Sequence, residues 1–337
     1  MRSTDTHQLR GNLNRTASRL AGRLALALLL LTAMHGASAA KRITIAGSPT
    51  AILLYIAQER GYFRDQGLDV ELRPFQTGPD SINAVIEGGV DFSTNSETPF
   101  VIRSFEHSDL RILATISASD TMRLIARGDR AIKTPQDLAG KRIGVTRGSA
   151  GDYFLARYLM LNGVAAAAAT IIDLEPEDIG KNLVKGEIDA GMTWEPFVRN
   201  AELALEDNVV TLPEQYDRYF YVMLVCMQSW LDAHPSEARA ILRAIIQAET
   251  YAADHPSEAK QLVRKLFEMS VDDIDYVWSL NNLYVSLPQA LMFALEKQAE
   301  WRIPRKLTGA RTIPNYLDFV ATDPLREIRE SSVGIVK

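Results

Sequence analysis

The sequence contains almost no cysteine, which excludes a scaffold held together by disulfides. Cys226 is the only cysteine in 337 residues, and it lies inside the apolar run YFYVMLVCM. We therefore expect a buried core thiol. With 47% hydrophobic and 23% charged residues, a chain of this length can bury large cores without bridges. The composition predicts a globular protein of two domains.

Long hydrophobic runs are also absent. The run LALALLLLTAM from Leu24 to Met34 is too short for a membrane span, which needs roughly twenty apolar residues. Five arginines precede it, and the small residues ASAA follow at 37–40. This order is typical of a secretory signal. We predict that residues 1–40 are a cleaved signal peptide and that the mature protein is periplasmic, without a lipid anchor.

Positive charge is scarce after this segment. Residues 1–40 carry a formal charge of +4, and the remainder carries −9 of the total of −5. The remainder contains no cluster of lysines or arginines. An acidic chain of this kind disfavours nucleic acid and anionic membranes as partners.

Sequence signatures of catalysis and metal binding are missing as well. GSAG at 148–151 lacks the spacing of a G-x-S-x-G nucleophile elbow, and GKR at 140–142 does not complete a phosphate-binding loop. His107, His234 and His255 lie far apart and form no metal-binding motif. The sequence therefore predicts no metal, no cofactor and no enzymatic activity.

Short β-branched runs alternate with amphipathic segments along much of the chain, beginning with RITIA, AILLYIAQERGYF and DVELRPF. This alternation predicts βαβ units and an α/β fold with mostly parallel sheets. A second series of the same kind begins after Ser119. From Pro235 the pattern is almost entirely helical, and the repeated HPSEA places proline at the start of two helices.

A helical tail without strands of its own needs a sheet to pack against. We therefore expect a discontinuous first lobe, formed by residues 41–120 with 225–337, and a second lobe formed by residues 121–224. Extended crossovers near Thr121 and Phe220 would form the hinge.

Loops rich in hydroxyl groups follow the predicted strands. In open α/β sheets, ligands bind beyond the carboxyl ends of strands, where helix N-termini present free N–H groups. One such loop alone is usually a helix cap, but six at equivalent positions would converge on one cleft between the lobes. These loops are Gly47–Ala51, Gln76–Ser81, Ser93–Thr98, Ser117–Thr121, Arg147–Asp152 and Thr193–Pro196.

A cleft lined by hydroxyl and N–H groups suits a small oxyanion bound by neutral donors. Two helix ends and four or five hydrogen bonds give about −8 kcal/mol after the cost of association, which corresponds to near-micromolar affinity. Arg123 and Arg147 either reach this cleft or carry surface charge. Glu97 and Glu195 would repel a bare anion, so an inward-facing carboxylate would favour a zwitterion. Trp194 either stacks on the ligand or packs at the lobe edge.

Several motifs in order resemble the nitrate/sulfonate/taurine-type solute-binding proteins of ABC importers. They are AQERGYF at 57–63 with GLDVE at 67–71, GGVDF at 88–92, DLAGKRIGV at 137–145 and GEIDA at 186–190. The resemblance spans essentially the whole chain after the predicted signal. It implies a two-lobed type II periplasmic binding fold that closes over its ligand and delivers it to an inner-membrane permease. We expect the protein to act as a monomer.

The resemblance also implies which loop residues bind the ligand, a small sulfonate- or taurine-like anion or zwitterion, or nitrate. These residues are Ser48, Pro49, Thr50, Ala51, Thr77, Gly78, Asn95, Ser96, Glu97, Ser117, Ser119, Thr121, Gly148, Ser149, Trp194 and Glu195.

Three alternatives remain open at this point. The first is a binding protein for a pyrimidine precursor. The second is an enzyme on the same fold, similar to those of thiamine-pyrimidine synthesis, in which only Glu97, Glu195 or Asp152 could be the base. The third is a ligand sensor that docks on a membrane receptor.

Overall fold

A computed structural model describes residues 42–212 and 219–336, so the predicted signal peptide lies outside the described residues. The strands are β1 (Arg42–Gly47), β2 (Asp69–Pro74), β3 (Phe92–Asn95), β4 (Leu110–Ser119), β5 (Met122–Arg127), β6 (Arg142–Val145), β7 (Thr170–Asp173), β8 (Ala190–Trp194), β9 (Val209–Thr211), β10 (Phe220–Met227) and β11 (Asn281–Asn282).

The helices alternate with these strands as far as α7 and then follow one another in the tail. They are α1 (Ile52–Glu59), α2 (Tyr62–Asp65), α3 (Gly78–Ile86), α4 (Glu97–Ser104), α5 (Ala150–Leu161), α6 (Pro176–Lys185), α7 (Phe197–Leu205), α8 (Gln228–Ala233), α9 (Pro235–Asp254), α10 (Pro256–Leu266), α11 (Val271–Ser279), α12 (Gln289–Arg302) and α13 (Asp323–Arg326). Among the described helices, none combines the length and the apolar character that a membrane crossing requires.

Two mixed sheets, each with its own helices, form the two lobes of an α/β fold. The strand order is β11-β4-β10-β3-β1-β2 in the first lobe and β7-β6-β8-β5-β9 in the second. The α/β class is confirmed, but the expectation of mostly parallel pairing is wrong. β10 runs antiparallel to β3 and β4, and β5 runs antiparallel to β8 and β9.

The strand β10 brings the chain back into the first sheet. It begins at Phe220, which pairs with Ser119, so residues 220–224 belong to the first sheet rather than to the second lobe. The tail helix α9 then packs against α1 and α2 of the same lobe. The exact division of the chain into lobes stays a prediction, with the second boundary moved to before Phe220.

Local sequence explains where several elements begin. Pro235 and Pro256 of the two HPSEA repeats stand in the first turn of α9 and α10, as predicted. The tail is less helical than expected, since residues 303–315 contain no described helix. Pro304 and Pro314 lie near the two ends of this stretch, and proline disrupts the interior of a helix.

The expected core cysteine is confirmed. Cys226 lies on β10, is fully buried and forms no disulfide. Burial raises the pKa of its thiol to about 12, so the thiolate, which is the reactive form, is disfavoured.

In each lobe, one aspartate just before a central strand accepts hydrogen bonds from the start of the neighbouring parallel strand of the same sheet. Asp91 of GGVDF accepts hydrogen bonds from the Thr44 backbone N–H at 2.7 Å and from Trp230 Nε1 at 2.9 Å. Asp189 of GEIDA accepts the backbone N–H of Arg142 at 2.9 Å, and both pairs are 47 residues apart. The two lobes therefore share one internal plan.

We predict that Asp91→Ala lowers the free energy of unfolding by about 1–3 kcal/mol, because it leaves partly buried donors without an acceptor. Asp69→Ala is the matched control. Asp69 is half exposed and pairs with the exposed Arg42, so its loss costs less than about 1 kcal/mol. Urea denaturation measures both values, and equal losses would contradict this role for Asp91.

Candidate ligand-binding site

A small cavity of about 50 Å³ lies between the two lobes at the carboxyl ends of strands from both sheets. We call it the central cavity. A water molecule needs about 10–15 Å³ on this measure, so the cavity accommodates a group of a few atoms. Its lining residues are Ser48, Thr50, Gln76, Gly78, Thr94, Asn95, Ser96, Phe220 and Val222 from the first lobe, and Met122, Ser149, Ala150 and Trp194 from the second.

The structure brings together seven of the predicted ligand-binding residues. Those that line the central cavity are Ser48, Thr50, Gly78, Asn95, Ser96, Ser149 and Trp194. Those outside its lining are Pro49, Ala51, Thr77, Glu97, Ser117, Ser119, Thr121, Gly148 and Glu195. Several of the latter serve the fold. Thr77 caps α3 by accepting the Asp80 N–H, and the Ser119 hydroxyl donates to Asn281.

Sequence reasoning missed six lining residues of two kinds. Gln76, Thr94 and Ala150 lie within loops that were predicted to line the cleft because they follow strands. Met122, Phe220 and Val222 lie on strands β5 and β10, next to the crossovers. Their apolar runs are typical of core strands, so no sequence signal separates cavity wall from core.

The first lobe contributes a connected set of hydroxyl groups. Thr94 Oγ1 accepts the Ser48 backbone N–H at 2.9 Å and donates to the Ala46 carbonyl at 2.8 Å. The hydroxyls of Ser48 and Thr50 are 2.9 Å apart. Asn95 Nδ2 donates to Ser93 Oγ, and Asn95 Oδ1 is buried without a hydrogen-bond partner among the described residues. The side chains at this wall are therefore held in place by their neighbours.

Helices begin on both sides of the central cavity. Ser96 precedes α4, and its side chain makes no capping hydrogen bond, so the first N–H groups of that helix have no side-chain acceptor at the cap. On the opposite side Ser149 caps α5, with Oγ accepting from the Gly151 N–H at 3.1 Å and donating to the Thr146 carbonyl at 2.7 Å. Helix N-termini favour negative charge.

The two lobes touch beside the cavity. Gly148 has a φ of +73°, and a Cβ placed on it would lie 3.5 Å from Ile102 and 3.8 Å from Pro79 of the first lobe. Farther out, Arg199 of α7 forms a 2.9 Å ion pair with Asp273 of α11. The structure is therefore a closed arrangement of the lobes.

Trp194 is placed both to contact a ligand and to pack against its own lobe. Its ring lines the central cavity and is 7% exposed. It also makes an edge-to-face contact with Phe197 at 5.9 Å. The indole is therefore a packed, rigid part of the cavity wall.

Neither candidate arginine lines the cavity. Arg123 is buried, and its Nη1 donates to the carbonyl oxygens of Asp120 and Met122 at 2.9 and 2.8 Å. Arg147 is half exposed and pairs with Asp152 at 3.1 Å. Among the described residues, the lining of the central cavity contains no charged side chain, so neutral donors and helix ends set its potential.

Both candidate glutamates are buried outside the central cavity. Each is 2% exposed, and each accepts one backbone N–H: Glu97 from Tyr221 at 3.0 Å and Glu195 from Arg199 at 3.1 Å. The second carboxylate oxygen of each has no partner among the described residues. Burial raises the pKa of both groups to about 7.

These raised pKa values predict a pH dependence of stability. Between the ordinary pKa of 4.5 and about 7, the folded chain keeps a proton on Glu97 that the unfolded chain releases. The free energy of unfolding therefore falls as the pH rises through this window and levels off above it. A pKa shift of this size corresponds to about 2–4 kcal/mol of the free energy of unfolding.

We expect Glu97→Gln to remove this contribution, so that its stability relative to the wild type improves by about 2–4 kcal/mol from acid to neutral pH. Urea denaturation across the window measures the difference. Parallel pH profiles for the two proteins would show that the Glu97 carboxyl does not titrate in this range.

Comparison with known proteins places the chain in a family. The model of the family described as "NMT1/THI5 like" matches residues 48–259. The taurine-binding periplasmic protein of Escherichia coli (strain K12) is 25% identical over 215 residues, which cover 62% of this chain and 66% of that protein. The match thus spans just under two thirds of that relative.

Solved structures share the fold at low identity. The alkanesulfonate-binding protein SsuA from Xanthomonas axonopodis pv. citri, bound to MOPS, is similar with a TM-score of 0.74 at 16% identity, covering 83% of this chain and 98% of that one. The desulfurization enzyme DSZB gives a TM-score of 0.65 at 15% identity, covering 86% and 99%. The fold is that of the periplasmic binding proteins, and the chain belongs to the NMT1/THI5-like family.

Proposed function

We propose that this protein is the exported substrate-binding component of an ABC importer. Its ligand would be a small organic anion or zwitterion, sulfonate- or taurine-like, or nitrate. The observation that carries this proposal is the central cavity, which residues of both lobes line with hydroxyls, two amides and helix N-termini. The taurine-binding relative and the alkanesulfonate-binding neighbour support the ligand class.

The mechanism is a shift between open and closed states. The ligand contacts Ser48, Asn95 and Ser96 on one lobe and Ser149 and Trp194 on the other only when the lobes meet. Binding therefore stabilises closure in proportion to the contacts that exist in the closed state alone. A permease that recognises the closed form then receives the loaded protein.

The cellular setting is part of the same proposal. A cleaved signal at residues 1–40 would deliver the protein to the periplasm, as the name of the taurine-binding relative supports. The protein would work there as a monomer with an inner-membrane permease as its partner. The lobes would comprise residues 42–119 with 220–336, and residues 122–212.

Binding without chemistry is favoured over the enzyme alternative, although DSZB has the same fold. The two buried glutamates stand outside the central cavity, and Asp152 pairs with Arg147 while also accepting the Gly148 N–H. A general base must come within hydrogen-bond reach of the substrate. None of the three candidate bases lines the cavity in this closed arrangement.

Isothermal titration against taurine, short alkanesulfonates, nitrate and formylaminopyrimidine tests the ligand class. We expect at least one sulfonate or nitrate to bind with a Kd below millimolar, equivalent to more than about 4 kcal/mol. The ligand should be recovered chemically unchanged after prolonged incubation. Binding of the pyrimidine alone would favour the pyrimidine alternative, and product formation that is lost in Glu97→Gln would favour the enzyme.

The pair Ser149→Asp and Ser149→Asn tests the central cavity. Both side chains cap helices well and have nearly the same shape, so they differ mainly in charge. We expect the aspartate variant to bind the anion about 100-fold more weakly than the asparagine variant, a difference of about 2.7 kcal/mol. The two empty variants should melt at similar temperatures. Equal anion affinities would place the ligand elsewhere.

A further inference from the structure

The end of α12 in the first lobe contacts α5 of the second lobe. The rings of Trp301 and Tyr153 meet edge-to-face, with their centres 5.5 Å apart and an interplanar angle of 85°. Beside them, Arg305 Nη2 donates to Met160 Sδ at 3.4 Å. We call these four residues the interlobe latch. The latch joins other helices than the ion pair between α7 and α11.

Two arginines of the first lobe strengthen this contact. The guanidinium carbon of Arg305 lies 5.2 Å from the centre of the Trp301 ring, and Nη1 donates to the Trp301 carbonyl oxygen at 3.1 Å. Aromatic faces attract cations. Arg302 is half-buried, and burial lowers its pKa, whereas the Asp152 carboxylate of α5 acts against this shift. An attraction between unlike charges across the lobes therefore adds to the aromatic contact.

The latch holds the helix whose first residues line the central cavity. Ser149 caps α5 and lines that cavity together with Ala150. Tyr153 stands four residues after Ser149, and Met160 stands seven residues after Tyr153. These spacings place side chains close to one face of a helix. The first lobe therefore holds α5 along the same side that presents Ser149 to the cavity.

The latch itself does not line the central cavity, so a ligand there does not touch it. Its contacts join the two lobes and are lost when the lobes separate there. Edge-to-face aromatic pairs are favourable. An interaction made only in the closed state raises the closed population, and with it the apparent affinity of every ligand that needs this state.

We propose that the interlobe latch sets the ligand affinity of the protein by stabilising the closed state, which rests on the opening and closing of the lobes in the proposed function. Trp301, Tyr153, Arg305 and Met160 are positioning residues for closure. The latch then determines how strongly a ligand binds, whereas the lining of the central cavity determines which ligand binds.

Isothermal titration of Trp301→Ala with ethanesulfonate and with nitrate tests the latch. For each anion that the wild type binds, we expect Kd to rise by the same factor of about ten, equivalent to about 1.4 kcal/mol. Tyr284→Ala is the matched control, because Tyr284 stacks on Arg329 within the first lobe at 5.0 Å. It should leave Kd unchanged. An unchanged Kd in Trp301→Ala, unequal factors for the two anions, or an equal loss in Tyr284→Ala overturns the proposal.

A double-mutant cycle tests whether the two rings act through one contact. Trp301→Ala and Tyr153→Ala each remove that contact, so the double variant has nothing further to lose there. It should bind at most about twofold more weakly than the weaker of the two single variants. Losses that multiply would show that the rings act independently, which also overturns the latch.

Arg305→Ala replaces Trp301→Ala if the latter folds poorly, because Arg305 is exposed. We expect its Kd to rise about threefold, while the melting temperature of the empty protein stays unchanged. In that case an unchanged Kd overturns the proposal.

Small-angle X-ray scattering of the empty protein separates the latch from the choice of anion. If neither anion binds the wild type, the proposed ligand class fails, and the radius of gyration decides on the latch alone. Trp301→Ala should populate open states more and therefore give a larger radius of gyration than the wild type and Tyr284→Ala. Equal radii in the three proteins would then overturn the latch.

Discussion

The pairing of β10 within the first sheet is the constraint on which the central cavity depends. β10 lies between β3 and β4 and pairs antiparallel with each of them. Its first residues include Phe220 and Val222, which line the central cavity between the lobes. One face of this short stretch therefore forms part of the cavity wall. The Tyr221 N–H also fixes Glu97, so the same strand orients the buried carboxylate.

The proposed anion site has no basic side chain in its described lining. The chain after residue 40 is acidic overall, and the buried Arg123 donates to the backbone carbonyl groups of Asp120 and Met122 and pairs with the Asp120 carboxylate. Hydroxyls and helix ends act only over short distances. An anion would therefore be attracted within the cleft and not at the surface.

The sequence allowed the α/β class and about half of the cavity wall to be predicted. Ser48, Asn95 and Ser149 were found because they follow strands, and the carboxyl ends of strands meet at one edge. Glu97 was predicted to bind the ligand together with its neighbour Ser96, but adjacent residues at a helix start point in different directions. Ser96 lines the central cavity, and Glu97 lies outside its lining.

The remaining misses have a common origin in the crossovers. A β-branched run gives no indication of whether its strand pairs in parallel or antiparallel fashion. The antiparallel pairing of β5 and β10 could therefore not be predicted from the sequence. Phe220 and Val222 belong to a run whose residues are nearly all buried, and burial in a core and burial around a ligand select the same apolar side chains. Only the three-dimensional course of the chain shows which buried residues line a cavity and which lie in the core.

The hydrogen bonds accepted by Asp91 and Asp189 have a consequence for how the lobes move. Asp91 joins strands within the first lobe and Asp189 within the second, and neither bond crosses the junction. When the lobes separate, these bonds stay intact. The work of opening then falls on a short set of contacts, such as the packing of Gly148 near Ile102 and the Arg199–Asp273 ion pair. Because a short set of contacts holds the lobes together, a ligand of modest affinity would be enough to shift the equilibrium between the open and closed arrangements of two rigid lobes.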